Sequence, residues 1–311
     1  MSYQQIFFGT PGSGKSHIVK EFTEGKKMHR TTFHPDSDYA SFVGCYKPTM
    51  EESEIKYSFT PQVFTEAYID AWKNLEEDVY LVIEEINRGN CAQIFGDLFQ
   101  LLDRNENGYS DYRIKADSDL RDYLYSQLGE GNEGIKGGEL CLPPNLRILA
   151  TMNTSDQSLF PMDSAFKRRW DWEYVPVDYS DSVPSSRFII TLGDKQYRWI
   201  DFLQKVNEKI LGTTESEDKQ MGNFFIKANV SETEFKSKVM FYLWNEVCRN
   251  EYGTNNPKNF FRTSKEAEFS FNELYKSDGL EKLHGFMMYL GIPLLSAIED
   301  AEEVVEQPEQ A

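Results

Sequence analysis

Gly9-Thr10-Pro11-Gly12-Ser13-Gly14-Lys15-Ser16 sets glycines, a lysine and a hydroxyl at the spacing G-x-x-x-x-G-K-[ST]. Each residue type has a chemical task in that pattern. Glycines let the backbone curl until successive N–H groups converge on one anion, which suits a phosphate. Lys15 can reach the β- and γ-phosphate oxygens, and the Ser16 hydroxyl can hold Mg²⁺. These eight residues, with His17 after them, are the expected nucleotide contacts.

Such a loop works only between a strand and a helix. Gln5-Ile6-Phe7-Phe8 reads as a short buried strand. Residues 16–22 read as a helix with Ile18, Val19 and Phe22 on one side, and its N-terminus adds a positive dipole end. Further on, Thr31-Thr32-Phe33-His34 resembles a second strand. Pro61 opens a helix capped by Thr60 and running to about Leu75. The apolar run 79–83 suits a strand covered on both faces. A helix carrying Ile94, Phe95, Leu98, Leu101 and Leu102 follows. Residues 103–140 are polar and glycine-rich, and read as an insertion of hairpins and a helix near 120–128. Strands are expected at 146–151 and 172–177. Alternating strands and helices behind a phosphate loop predict an α/β domain with a doubly wound parallel sheet over 1–180. A smaller, mainly helical domain is expected over 181–298, with helices at 199–211, 232–247 and 279–298.

Three further groups could do chemistry. Glu84 and Glu85 end the third strand, where one carboxylate can hold Mg²⁺ with Ser16 and the other can polarise an attacking water. Glu84 is assigned the metal and Glu85 the water. Asn153 follows the next buried strand, and its amide can hold that water without adding charge. Lys167-Arg168-Arg169 precede the last strand, too far along the chain to be assumed to reach the same nucleotide. Arg168 or Arg169 completing a neighbour's site would require head-to-tail assembly.

The bulk composition narrows the classes. The chain has 311 residues, 40% hydrophobic and 14% aromatic, enough for a sizeable core. Its formal net charge of −18 disfavours tight non-specific DNA binding. Glu299, Asp300, Glu302, Glu303, Glu306 and Glu309 close it with an acidic stretch, 299–311, expected to be disordered. Cys45, Cys91, Cys141 and Cys248 have no C-x-x-C spacing, so no zinc site is expected, and free thiols fit a reducing cytoplasm. The first strand begins within a few residues of Met1, which leaves no room for a signal peptide. The apolar stretch 285–298 is too short to span a bilayer and contains Pro293, so no membrane partner is expected.

The order of these motifs resembles AAA+ ATPases, and more narrowly the McrB family, the motor subunits of modification-dependent restriction systems. The resemblance rests on Phe33-His34-Pro35 with Tyr39 and Phe42-Val43-Gly44, on Glu84-Glu85-Ile86-Asn87-Arg88-Gly89-Asn90, on Met152-Asn153-Thr154-Ser155-Asp156-Gln157-Ser158-Leu159 and on Met162-Asp163-Ser164-Ala165-Phe166-Lys167-Arg168-Arg169-Trp170. Gln220-Met221-Gly222-Asn223-Phe224-Phe225 resembles the start of the family's lid. The resemblance implies a Mg²⁺-dependent ATPase or GTPase, a hexameric ring, an McrC-like nuclease or other effector partner, and only indirect contact with DNA. Two positions depart from the family pattern. Glu84 stands where aspartate is usual and pushes its carboxylate toward the metal, which could slow hydrolysis. Gln157 replaces an arginine. The resemblance does not bring a DNA-reading domain. A nucleotide-gated scaffold with little hydrolysis and a MoxR-like remodelling chaperone are the alternatives.

Overall fold

A computed structural model describes residues 2–51, 54–155, 160–248, 260–265 and 267–296. The acidic stretch 299–311 and residues 156–159, which include Gln157, lie outside them. The chain forms two compact units. One comprises Met1–Gly9 with Lys15–Val175, the other Thr10–Gly14 with Pro176–Ala311.

The first unit runs β1 (Gln4–Gly9), α1 (Lys15–Thr23), β2 (Lys27–Thr32), α2 (Tyr39–Phe42), β3 (Gly44–Glu51), β4 (Glu54–Pro61), α3 (Val63–Lys73), β5 (Val79–Glu84), α4 (Cys91–Phe95), β6 (Ile114–Lys115), α5 (Ser118–Leu128), β7 (Glu139–Leu140), β8 (Leu146–Asn153), α6 (Ser164–Lys167) and β9 (Asp171–Tyr174). Five strands make one parallel sheet in the order β2-β5-β8-β1-β9. Side chains alternate across it. Ile6, Leu81, Ile83, Ile148 and Ala150 join Phe64, Ala67, Tyr68 and Trp72 of α3 in one core. Their neighbours Phe7, Tyr80, Val82 and Leu149 meet Val19, Ile18 and Phe22 of α1 on the other face. Two covered faces are why β5 is buried at every position and apolar up to Glu84 at its end, and they make this a doubly wound α/β sheet. Burying each large apolar side chain contributes about 1.5–3 kcal/mol.

The polar stretch after residue 103 folds onto this core. Leu120, Leu124, Ile135 and Leu140 are fully buried in it. The Tyr68 hydroxyl lies within hydrogen-bonding distance of Gly134 O and Cys141 O, and the Trp72 indole donates to Cys141 O at 2.9 Å.

In the second unit β10 (Ile189–Leu192) and β11 (Lys195–Arg198) form a hairpin ahead of α7 (Trp199–Thr214). A short α8 (Glu232–Glu234) continues into π-helical turns at Phe235–Met240 and Leu243–Val247, and α9 (Gly279–Tyr289) follows. Trp199, Phe202, Phe235, Phe260 and Phe286 are central to its own core.

Several elements differ from sequence expectation. The second strand lies earlier, at β2, because an edge strand with mostly exposed residues lacks an apolar run. Residues 60 and 61 end β4 rather than open a helix, and Thr60 pairs with Cys45 across the β3–β4 hairpin. The hairpin has an apolar face of Tyr46, Pro48, Ile55, Tyr57 and Phe59, whose alternation is masked by the lysines and threonines between. The helix after β5 breaks at Gly96 (φ 50°) and continues as a 3₁₀ turn, Gly96–Leu102. Among the described residues no helix is long and apolar enough to cross a membrane.

All four cysteines are free thiols. Burial pushes the Cys91 thiol up to about 12 and raises Cys141 as well. The thiolate is the reactive form. A thiol reagent at neutral pH should therefore modify half-buried Cys45 in the native protein, and Cys91 and Cys141 only after denaturant. Peptide mapping by mass spectrometry checks this, and rapid native modification of Cys91 would contradict it.

Candidate functional site

The sheet order puts the carboxyl ends of β5, β8 and β1 side by side. Gly9 pairs with Asn153, and Ile83 with Ala150. Ligands bind beyond such strand ends in open parallel sheets.

The loop leaves β1 through Gly12 (φ 77°) and Gly14 (φ 105°), conformations that side-chain-bearing residues rarely adopt. Lys15 opens α1 and is buried, with Nζ donating to Gly9 O at 3.0 Å. Ser16 follows, and its Oγ donates to Glu84 Oε2 at 3.1 Å. His17 is exposed and lies 3.4 Å from Glu21, one turn along the helix.

Glu84 is the most constrained acid of the group. Its side chain is only 10% exposed. Thr151 Oγ1 donates to Oε2 at 2.5 Å, and Arg30 Nη2 donates to Oε1 at 2.6 Å. Serine, threonine and arginine thus come from α1, β8 and β2. A buried carboxylate needs such donors, because desolvation without them costs several kcal/mol.

Glu85 leaves the strand in the left-handed region, φ 54° and ψ 46°. A non-glycine residue there is strained by about 1–3 kcal/mol, a cost met mostly where a site over-determines the backbone. Its N–H donates to Thr151 Oγ1 at 3.3 Å. The turn brings its carboxylate to Asn153, whose Nδ2 lies 2.7 and 2.9 Å from the two oxygens. Arg88 Nε is 3.5 Å from Oε2. Asn87 Nδ2 donates to Asn153 O at 2.9 Å and fixes that strand end from behind.

The two arginines before β9 are not equivalent. Arg169 has a 7% exposed side chain, pairs with Asp103 at 2.7 Å, donates to Ala165 O and stacks over Phe99 at 4.7 Å. Arg168 is exposed, and its guanidinium has no hydrogen bond or ion pair among the described residues. Both line an open, polar cavity of ≈ 550 Å³ with Gln100, Asp103, Arg104, Asp111 and Tyr112.

The structure therefore gathers Lys15, Ser16, Glu84, Glu85 and Asn153 at adjoining strand ends. It turns His17 to solvent and commits Arg169 to a carboxylate of its own unit. Sequence reasoning missed Arg30, Asn87 and Thr151. Thr151 carried one signal, a hydroxyl directly after the apolar run Ile148-Leu149-Ala150. Arg30 carried none, since a charged residue on an edge strand is ordinary.

Residues 4–170 match the AAA domain, dynein-related subfamily. The chain belongs to this AAA+ family. It is 36% identical over 91% of its length, and 88% of the relative's, to the Type II restriction enzyme BsuMI component YdiS of Bacillus subtilis (strain 168). It is 25% identical over 65% of its length to the Type IV methyl-directed restriction enzyme EcoKMcrB subunit of Escherichia coli (strain K12), and there spans 41% of the relative. The chain is thus an AAA+ ATPase of McrB-like type with restriction-system relatives.

In this AAA+ chain Arg30→Met should leave Glu84 under-compensated in the metal-free protein. Because Arg30 is half exposed, the loss is screened to about 1 kcal/mol. Chemical denaturation should register it, with Arg30→Lys recovering part. An unchanged midpoint for Arg30→Met would show that the pair contributes nothing.

Proposed function

We propose that the chain is a Mg²⁺-dependent nucleoside triphosphatase that acts in a head-to-tail ring and drives or regulates a nuclease or other effector subunit of a restriction or defence system. The observation carrying this is the convergence of Lys15, Ser16, Glu84, Glu85 and Asn153 at adjoining strand ends. Residues 9–16 receive the triphosphate, with Lys15 leaving its carbonyl partner for the phosphates. The donor set suits Mg²⁺, because the Ser16 hydroxyl and the Glu84 carboxylate are hard oxygen ligands already 3.1 Å apart. When bound, the ion neutralises charge on the β- and γ-phosphates. Glu85 takes the proton of the attacking water, and Asn153 holds that water and the carboxylate in line. Residues 181–298 act as the lid, with the boundary near 180.

Arg168 is the side chain offered to a neighbour's γ-phosphate, since Arg169 is engaged with Asp103. A heterologous contact of this kind closes into a ring when the rotation permits, and the McrB resemblance suggests six subunits. The words "component" and "subunit" in the relatives' names support a multi-subunit restriction system. ATP is slightly favoured over GTP, because most AAA+ proteins use it.

A nucleotide-gated scaffold with slow turnover is the second reading. Its support is the full complement of partners already around Glu84. Single-turnover hydrolysis of ATP and GTP by the purified chain separates the two.

Lys15→Ala should abolish tight nucleotide binding, because a charge-assisted phosphate contact contributes about 1.5–3 kcal/mol. Calorimetry with ATP and GTP checks it, and wild-type affinity for both would remove the assignment of the loop. Glu85→Gln should keep binding while turnover falls by about 10²–10⁴-fold, the usual contribution of a general base. A wild-type rate in that variant would place the base elsewhere. For the arginine in trans, Glu85→Gln and Arg168→Ala subunits should each be inactive alone and partly active when mixed. The mixture pairs intact sites with intact arginines at some interfaces, and an arginine in trans contributes about 10³–10⁵ in rate. A mixture as inactive as its parts would exclude the trans role.

A further inference from the structure

Within the second unit, which includes Thr10–Gly14, residues 222–224 hold that stretch of the phosphate loop by its backbone. Met221 is fully buried, and its N–H donates to Asn207 Oδ1 at 2.9 Å while Asn207 Nδ2 returns a bond to Met221 O at 2.8 Å. Asn223 is buried too. Its Oδ1 accepts from Asp178 N at 2.9 Å, its Nδ2 donates to Asp178 O, and its carbonyl accepts from the Trp199 indole at 3.2 Å. Between and beside these two anchors the chain donates to the loop. Gly222 N reaches Pro11 O at 2.8 Å, and Phe224 N reaches Gly12 O at 2.7 Å. The approach leaves no room for a side chain. A Cβ on Gly222 would lie 2.1 Å from Ser13 N and 2.2 Å from Gly12 C, and one on Gly12 would lie 2.6 Å from Phe225 N.

We propose that residues 222–224 are a backbone clamp that holds Thr10–Gly14 in the curl that receives phosphate, with Gly222 and Asn223 as positioning residues for nucleotide binding. The inference rests on the assignment of residues 9–16 as the nucleotide loop. Amides can face a phosphate only if the carbonyls of the same peptides face away and are satisfied there. Pro11 O and Gly12 O are satisfied by the clamp. Without it, glycine-rich peptides sample many orientations, and binding must then supply the ordering. By linkage, phosphate held in the loop must strengthen the two clamp bonds in return.

The test uses the full chain. Gly222→Ala should bind a fluorescent ATP analogue at least about tenfold more weakly and lose about 100-fold in turnover, the scale of a 1 Å misplacement. Gly212→Ala in α7, where a Cβ meets nothing within 4 Å, should match wild type. A second measurement needs no substitution. In wild type, hydrogen exchange at the Gly222 and Phe224 amides should slow by about tenfold when ATP and Mg²⁺ are added. A folded Gly222→Ala chain that binds as tightly as Gly212→Ala overturns the clamp. So does exchange at those two amides that ignores saturating nucleotide, and this arm alone decides if Gly222→Ala does not fold. A wild-type chain that binds no nucleotide removes the assignment of the loop, and the clamp with it.

Discussion

A carboxylate at the end of a fully buried strand cannot be left to water, and Glu84 is satisfied by three donors from three elements. Ser16 reaches it from the first turn of α1, Arg30 from β2 and Thr151 from β8. That arrangement requires β5 to lie between β2 and β8, which is the order the sheet has. Removing any one donor would leave part of a nearly dry charge unpaired, so the contacts tie the helix start to both flanking strands. The same constraint sorts the oxygens. Oε1 is engaged by the guanidinium, and Oε2 faces the two hydroxyls.

Glu85 shows how one residue of chain can separate two jobs. Had the strand continued, successive side chains would have pointed to opposite faces of the sheet. The left-handed turn at Glu85 instead brings its carboxylate onto the Asn153 amide at the neighbouring strand end. Two adjacent acids thereby enter different environments, one enclosed by donors and one beside a neutral amide and Arg88. Arg168 and Arg169 divide in the same way. The buried guanidinium has found a carboxylate, a carbonyl and a ring, while its neighbour remains on the surface. Burial decides which member of a like-charged pair is structural, because only the exposed member can stay charged without a partner.

The phosphate loop is where local sequence and long-range packing meet. Its glycines make the curl accessible, but accessibility is also freedom. The backbone bonds from Gly222 and Phe224 restrict that freedom, and they come from a segment some two hundred residues downstream. That segment is itself held by the side chains of Asn207 and Asn223, two buried amides that bond backbone groups, Asn207 also donating to the Tyr179 hydroxyl.

Much of this was legible in the chain itself. The spacing of Gly9 to Ser16 identifies a phosphate loop because few backbones can present converging amides. The apolar runs at β5 and β8 mark buried strands because a doubly covered sheet tolerates little else. The acids and the amide at their ends follow from that placement, as does the AAA+ fold. Edges were less legible. β2, the β3–β4 hairpin and the break at Gly96 lack a clean period, since a half-exposed strand or a 3₁₀ turn leaves a mixed pattern. Residue types and spacing alone determined which groups could meet a nucleotide. Only the tertiary structure decided that Arg30 and Thr151 would share Glu84, that Arg169 would be bound to Asp103, and that Gly222 must be glycine. Each of those depends on groups far apart in sequence coming within contact distance, and no local pattern encodes that distance.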